Sequence, residues 1–217
     1  NRKVIYQNIA KEVDSNSKAY EKLDELIKLT KHRLTGSENG RNAEDFAYDA
    51  FKEYGFSNAT YSPFNAESWS RNSVELRIVP ANSDNFREVE VVSLAFSPKA
   101  ASVTAQIVNC YDGLASDFEK VGEKLKGKIA IFNINVQYKA NEGEKNLHRS
   151  EKTALAIKKG AVGVIIVNAV KGGVLLTGTA SVTGELIPIP AVCVSYESGK
   201  YIKKWILDEK HILASID

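Results

Sequence analysis

The side chains that most often do chemistry in proteins are few and scattered in this chain. His32, His148 and His211 are followed by Arg-Leu, Arg-Ser and Ile-Leu. None opens the H-E-x-x-H pattern that sets two imidazoles on one helix face around zinc, so they read as surface or hydrogen-bonded polar residues. A G-x-S-x-G nucleophile elbow is absent, because Gly36 and Ser37 are adjacent. The run Gly122-Glu123-Lys124-Leu125-Lys126-Gly127-Lys128 has P-loop spacing, but Ile129 stands where Ser or Thr would hold magnesium. Its glycines also lie between a helical pattern and a following strand, the reverse of the P-loop order, so it reads as a helix end and a turn. Cys110 and Cys193 match no metal-ligand spacing and sit in apolar strand patterns. They read as separate buried thiols that fill volume; a disulfide would require their strands to be neighbours.

The stretch most suggestive of function is the segment from Lys171 to Glu185, with four glycines, three threonines and a serine between two strands. Gly172, Gly173, Gly178 and Gly184 permit positive φ and close backbone approach. Thr177, Thr179, Ser181 and Thr183 offer hydroxyls without fixed charge, suited to following a peptide backbone. A substrate-facing loop is the expectation, and a plain surface excursion is the alternative. Trp69 and Arg71, in a polar stretch where the texture of the chain changes, are candidate interface residues, as are Phe46 and Phe51 on a helical stripe. Trp205 lies on another helical stripe and is expected in the core.

These residues need elements to hold them. Tyr20, Leu23, Leu26, Ile27 and Thr30 predict a helix capped by Ser15 or Ser17. Ala43, Phe46, Ala47, Ala50, Phe51 and Tyr54 predict a second, capped by Ser37 or Asn39 and ended at Gly55. Thr60 to Phe64 reads as a strand. Beyond Arg71 come short β-branched runs: Val74 to Val79, Val89 to Leu94, Val103 to Cys110, Ile129 to Ile134, Val162 to Val167 and Ala191 to Val194. Helical stripes alternate with the later ones: Leu114, Phe118, Val121, Leu125; then Thr153, Ala154, Ile157, Lys158; then Tyr201, Ile202, Trp205, Ile206. The pattern predicts a mixed α/β fold, with a helix-covered sheet and an antiparallel part, and a boundary separating 1–71 from 72–217.

Composition narrows the function classes. The 217 residues are 43% hydrophobic and 26% charged, with a net charge of +2. That excludes global disorder and gives no electrostatic case for nucleic acid or an anionic membrane. The longest apolar run, Ala161 to Val167, is too short to span a bilayer. The chain begins at Asn1 without an initiator Met or a signal-peptide pattern, and is read as a piece of a longer protein.

The order of several motifs resembles a known family. Tyr20-Glu21-Lys22-Leu23, Arg33-Leu34-Thr35-Gly36-Ser37, Tyr54-Gly55-Phe56 and Trp69-Ser70-Arg71 are similar to the start of M28-family zinc exopeptidases, with the carboxypeptidase Q branch the nearest likeness. The remainder resembles the protease-associated (PA) domain inserted in those enzymes: Leu125-Lys126-Gly127-Lys128-Ile129-Ala130, Arg149 leading into a helix that ends Lys159-Gly160-Ala161, then Val164-Ile165-Ile166 and Ile189-Pro190-Ala191-Val192. The likeness covers roughly residues 20 to 207. It implies N-terminal helices (1–71) that pack on a catalytic domain, followed by a swivelling β/β/α PA domain (72–217). It also implies that the zinc ligands and catalytic residues lie beyond this chain, which then holds no cofactor or catalytic group and serves as a non-catalytic cover over the active site of an extracytoplasmic aminopeptidase or carboxypeptidase. The implied partners are the catalytic domain of the same polypeptide, a peptide substrate, and a second copy in a homodimer. A free-standing peptide-binding PA module and a small α/β nucleotide-binding domain are the alternative readings.

Overall fold

The computed structural model describes residues 1–217 except 67, 81–85, 99 and 210. The chain forms two units, Asn1–Ser70 and Arg71–Asp217.

The first unit contains α1 (Arg2–Asn16), α2 (Ala19–Thr30) and α3 (Glu38–Glu53). Ser37 caps α3: its hydroxyl accepts from the Gly40 N–H at 3.0 Å while donating to the Leu34 carbonyl at 2.6 Å. Gly55, at φ +85°, follows the last turn as the stripe predicted. Helices α2 and α3 pack together, and Lys22 bonds Glu53 across them at 3.1 Å. The details differ from expectation in three places. Ser15 lies inside α1; Ser17 ends α1 and its hydroxyl accepts from the Ala19 N–H at 3.4 Å, while the N-cap position of α2 itself, Lys18, makes no side-chain cap. Helix α1 itself was not anticipated, because Val4, Ile5, Ile9 and Val13 are thinly spread among polar residues and all stay about half exposed. Thr60–Phe64 forms no strand. Its aromatic content serves helix packing instead: Tyr61 stacks on Tyr48 with ring centroids 4.6 Å apart and donates its hydroxyl proton to Asp45 at 2.8 Å. Among the described residues of this unit only Thr30 and Gly40 are fully buried.

The second unit is built on eight strands: β1 (Leu76–Pro80), β2 (Arg87–Glu88), β3 (Val91–Ser93), β4 (Val103–Asn109), β5 (Ile129–Asn133), β6 (Gly163–Val167), β7 (Ala191–Val194) and β8 (Ile212–Ile216). Helices α4 (Ala115–Val121), α5 (Arg149–Lys158) and α6 (Tyr196–Glu209) connect the later strands. The sheet order is β2-β1-β8-β4-β5-β6-β7-β3, with β4 to β7 parallel and β8, β1, β2 and β3 joined antiparallel. The predicted combination of a parallel and an antiparallel part is therefore present.

Strands β2 and β3 stand at opposite ends of that order, yet only Val89 and Glu90 separate them in the chain. Three peptide steps span at most about 11 Å, so the sheet must curl until its two edges nearly meet. The predicted run Val89 to Leu94 is thus not one strand, because its two ends pair with different edges. One face of the curled sheet, with Leu76, Ile78, Ile107, Ile129, Ile131, Ile165, Val192 and Ile216, receives Ile202, Trp205 and Ile206 of α6. The other face, with Ala130, Phe132, Val164, Ile166 and Cys193, packs on Phe118 and Val121 of α4 and Ala156 of α5. Strands covered on both faces read as continuous apolar runs, which is why β5, β6 and β7 were legible.

Strand β8 was missed, although Ile212, Ala214 and Ile216 alternate inward with period two. The inward face of α5 also differs from the stripe predicted: Lys152, Thr153 and Ala156 are buried, whereas Ala154 and Lys158 face solvent. The P-loop-like run is a helix end and turn as read from its order. Gly122 N–H closes α4 onto the Phe118 carbonyl, and Gly127 N–H donates to the Gly160 carbonyl at 2.8 Å. Those amides are spent within the protein and form no phosphate cradle.

Candidate functional site

Two features of the second unit have the chemistry of a site, and only one was foreseen. The first is the loop between β6 and β7. Parallel neighbours usually need a helical crossover; here residues 168–190 make the connection without one. Its anchors explain how it holds shape. Gly172 and Gly173 N–H groups donate to the Glu197 carboxylate at 2.9 and 3.1 Å, and these bonds hold its pKa below the ordinary glutamate range. Further on, the Ala95 N–H donates to the Gly178 carbonyl at 2.8 Å, and the Ala180 N–H to the Ala95 carbonyl at 3.0 Å. This short parallel bridge buries Ala180 completely. The Thr179 hydroxyl donates to the Ser181 carbonyl and accepts from the Ser181 N–H, both at 3.0 Å, and the Ser181 hydroxyl lies 3.4 Å from that of Thr183 and accepts from Gly184 N–H at 3.0 Å.

Gly178, Thr179, Ser181, Thr183 and Gly184 are thus gathered into one knot, and Gly172 and Gly173 into a separate anchor. Thr177, Thr183 and Gly184 remain exposed. Gly178, at φ +141°, lies directly against the Arg149 guanidinium: a Cβ there would come 1.8 Å from an Arg149 terminal nitrogen. The Arg149 Nε is buried and meets no hydrogen-bond partner. Of the candidate interface residues, Arg71 is half-buried and donates from Nε to the Ser93 carbonyl at 2.7 Å, fixing the start of the second unit to β3. Burial lowers the pKa of its guanidinium. In the first unit Trp69 and Phe46 are half-buried, while Phe51 is 52% exposed and meets Phe56 edge-on at 5.6 Å. Trp205, expected in the core, is half-buried, with the Arg87 guanidinium 4.9 Å over its ring.

The second feature is a polar network at the C-terminal ends of β4 and β5. The turn after β4 places Asp112, wholly buried, where both its oxygens are filled. One accepts from Asn133 Nδ2 at 2.8 Å and Gln137 N–H at 3.0 Å. The other accepts from Tyr138 N–H at 3.0 Å and Asn141 Nδ2 at 2.8 Å. Burial would raise its pKa, but the bonds from Asn133, Tyr138, Asn141 and Gln137 outweigh that, and the carboxyl lies below the ordinary aspartate range. Asp117 caps the adjoining α4, accepting from Asp112 and Leu114 N–H at 3.1 and 3.2 Å.

Two lysines complete the network. Lys152 of α5 is fully buried, and its ammonium donates to the Asn133 and Ile134 carbonyls at 3.0 Å each and to Asn146 Oδ1 at 2.8 Å. Lys203 of α6 donates to Asn133 Oδ1 at 2.5 Å and the Tyr111 carbonyl at 3.3 Å. Burial pushes the pKa of each down to about 8, and Asp112 only partly offsets that. Sequence reasoning missed this network. Its only signal is that Asn109, Asp112 and Asn133 interrupt apolar runs at strand ends, where α/β proteins concentrate polar function.

Cys110 and Cys193 are free and buried. Burial pushes the Cys110 thiol up to about 12 and raises that of Cys193, which disfavours the thiolate of each. The described residues bring together no group of three or more His, Cys, Asp or Glu fit to hold a metal. No described helix is long and apolar enough to cross a membrane.

Comparison with known proteins gives this architecture a context. Residues 103–202 match the PA domain family, consistent with the mixed α/β fold of N-terminal helices followed by a curled sheet. A search of curated protein sequences finds no match. Among solved structures, a Peptidase M28 precursor from Shewanella amazonensis is 22% identical, with a TM-score of 0.76 over 98% of this chain. An aminopeptidase from an Aneurinibacillus strain is 24% identical over 91% of the chain with a TM-score of 0.56, and a zinc aminopeptidase from Bacillus subtilis 20% identical over 92% with 0.59. At these identities the shared property is the fold. The chain spans 49% of the first of these proteins and 43% and 42% of the others.

Proposed function

We propose that this chain is the N-terminal portion of an M28-like zinc exopeptidase, nearest its carboxypeptidase Q branch, and that its PA domain covers the active site of a catalytic domain on the same polypeptide. The observation that carries the reading is the 98% coverage by one M28 precursor fold. A PA module accounts for residues 103–202 only, whereas the peptidase frame also accounts for the three helices before it. The near-absence of buried apolar side chains among the described residues of the first unit supports the same reading, because helices with Leu23, Ile27 and Phe51 about half exposed suit a larger partner surface. In this reading the zinc and its acid-base chemistry belong to the catalytic domain, and the enzyme acts outside the cytoplasm, with homodimerisation as a further expectation.

The work left to this chain is to restrict access and position substrate, which needs shape and hydrogen bonds but no acid or base. The anchored loop suits that task, because its bonds to Glu197 and Ala95 present exposed Thr177 on a fixed base. Replacing Thr177 with Trp in the complete polypeptide tests it without cutting those anchors. The expected result is a lower kcat/KM for longer peptides than for dipeptides, with unchanged unfolding. An equal kcat/KM ratio across peptide lengths would make the loop an ordinary surface feature.

A further inference from the structure

The polar network has an open side. Beyond the ends of β4, β5 and β6 lies a pocket of about 300 Å³, lined by Asn109, Asn133 and Tyr138 on one wall and by Tyr196, Lys200, Lys203, Lys204 and Leu207 of α6 on the other. Three lysines at positions i, i+3 and i+4 put like charges on one helix face; the carboxylates of α6 nearest in sequence, Glu197 and Asp208, flank them at the ends of that stripe and do not line the pocket. No carboxylate lines the pocket. The nearest network carboxylate, Asp112, sits behind Asn133 with both oxygens already occupied.

We propose that this pocket binds a small, multiply charged oxyanion, a phosphate or a polycarboxylate, held by Lys203 at its floor and by Lys200 and Lys204 at its mouth. An ammonium carries three N–H donors, and Asn133 and Tyr111 engage two of those on Lys203. The third makes no hydrogen bond among the described residues; the ammonium also lies 5.5 Å from the centroid of the Tyr138 ring, a wall of the same pocket, and a ligand oxygen would compete with that weaker contact. Asn133 fixes the direction of that ammonium, because its own amide is locked on Asp112. The Tyr138 hydroxyl accepts from Asn109 Nδ2 at 3.1 Å, so its proton is available to donate. Exposed Lys200 and Lys204 add charge without a burial cost. The volume suits a ligand of a few heavy groups, and the position, at the carboxyl ends of parallel strands, is where open α/β sheets place ligands. An arriving anion would also compensate the burial that depresses the Lys203 ammonium.

Calorimetric titration of the whole chain with inorganic phosphate, citrate and acetate, with amide chemical shifts followed in parallel, tests the assignment. Phosphate or citrate is expected to bind with a dissociation constant of about 1 mM or tighter, shifting resonances of residues 133–138 and 196–207. Acetate, with one charge, is expected to bind at least about tenfold more weakly. Binding of phosphate alone identifies a phosphate ligand class, and of citrate alone a polycarboxylate. The variant carrying Lys200→Ala and Lys204→Ala changes only exposed side chains, so it should fold normally and lose at least about tenfold in affinity. Lys203→Met should abolish binding. No binding by either multivalent anion up to about 10 mM, or unchanged affinity in the double variant, would overturn the proposal.

Discussion

Replacing Asp112 by Asn keeps the side chain's shape and removes its charge, and so isolates what that charge does. The native carboxylate accepts four hydrogen bonds, two from the side chains of Asn133 and Asn141 and two from the backbone of Gln137 and Tyr138. In the variant one acceptor oxygen becomes an amide that faces two donors, and Lys152 and Lys203 lose their compensating negative charge. Hydrogen bonds to a charged group contribute about 1.5–3 kcal/mol each. The four share one network and do not add, so the appropriate scale is the about 3–5 kcal/mol cost of breaking a buried charged arrangement. For a domain of this size that corresponds to a fall in Tm of about 6–20 °C. Urea and thermal unfolding at pH 7 measure it. The acid limb gives a second reading. The carboxyl's pKa is lowered in the folded state, so its stabilisation is present above the ordinary aspartate value and is lost as the pH falls through the lowered one. Wild type and Asp112→Asn should therefore converge in stability on acidification. A loss below about 1 kcal/mol at pH 7, with parallel acid limbs, would refute the view that this carboxylate organises the strand ends.

The same unit supports further expectations. Burial pushes the Lys203 ammonium from its ordinary value of 10.5 down to about 8 in the folded chain, so between those values the unfolded state holds more protons and stability should rise with pH; Lys203→Met should flatten that rise in alkaline denaturation curves. Gly199→Ala places a Cβ 2.1 Å from Val167 Cγ1, and the overpacking of α6 on β6 should cost about 1–3 kcal/mol in urea unfolding; a neutral result would mean that α6 can shift freely. Cys110 and Cys193 should resist a thiol reagent in the folded chain and both react on unfolding, without prior reduction; fast labelling of either in the native state would contradict their burial.

What could be read from the sequence was local or strongly patterned. Ser37 and Gly55 mark the ends of α3 through cap chemistry that spans a few residues. Strands β5 to β7 announce themselves because both faces are buried and every position is apolar. Strand β8 is as long as β5 and β6 but alternates, with Ser215 among its apolar residues, so it lacks their continuous apolar run; the split of Val89 to Leu94 depends on sheet closure, which no local pattern records. Thr60 to Phe64 has strand-like residues, of which Tyr61 instead stacks its ring on α3. The polar network was illegible for a different reason. Asn133 meets Asp112 and Lys203 across separations of 21 and 70 residues, so only the fold brings the charges together. Lys152 even occupies a core position, which a hydrophobicity pattern assigns to a neighbour. The loop from Lys171 to Glu185 was recognised by its composition, but its fixed shape depends on Glu197 and Ala95, which lie outside it.

The most direct test of the peptidase reading compares the complete polypeptide with residues 1–217 on aminoacyl and carboxy-terminal peptide substrates, each with and without a zinc chelator. The account predicts chelator-sensitive release of terminal amino acids by the complete polypeptide, restored by added zinc, and no turnover by residues 1–217. Failure of the complete polypeptide to hydrolyse either substrate class, or zinc-dependent turnover by residues 1–217 themselves, would contradict it.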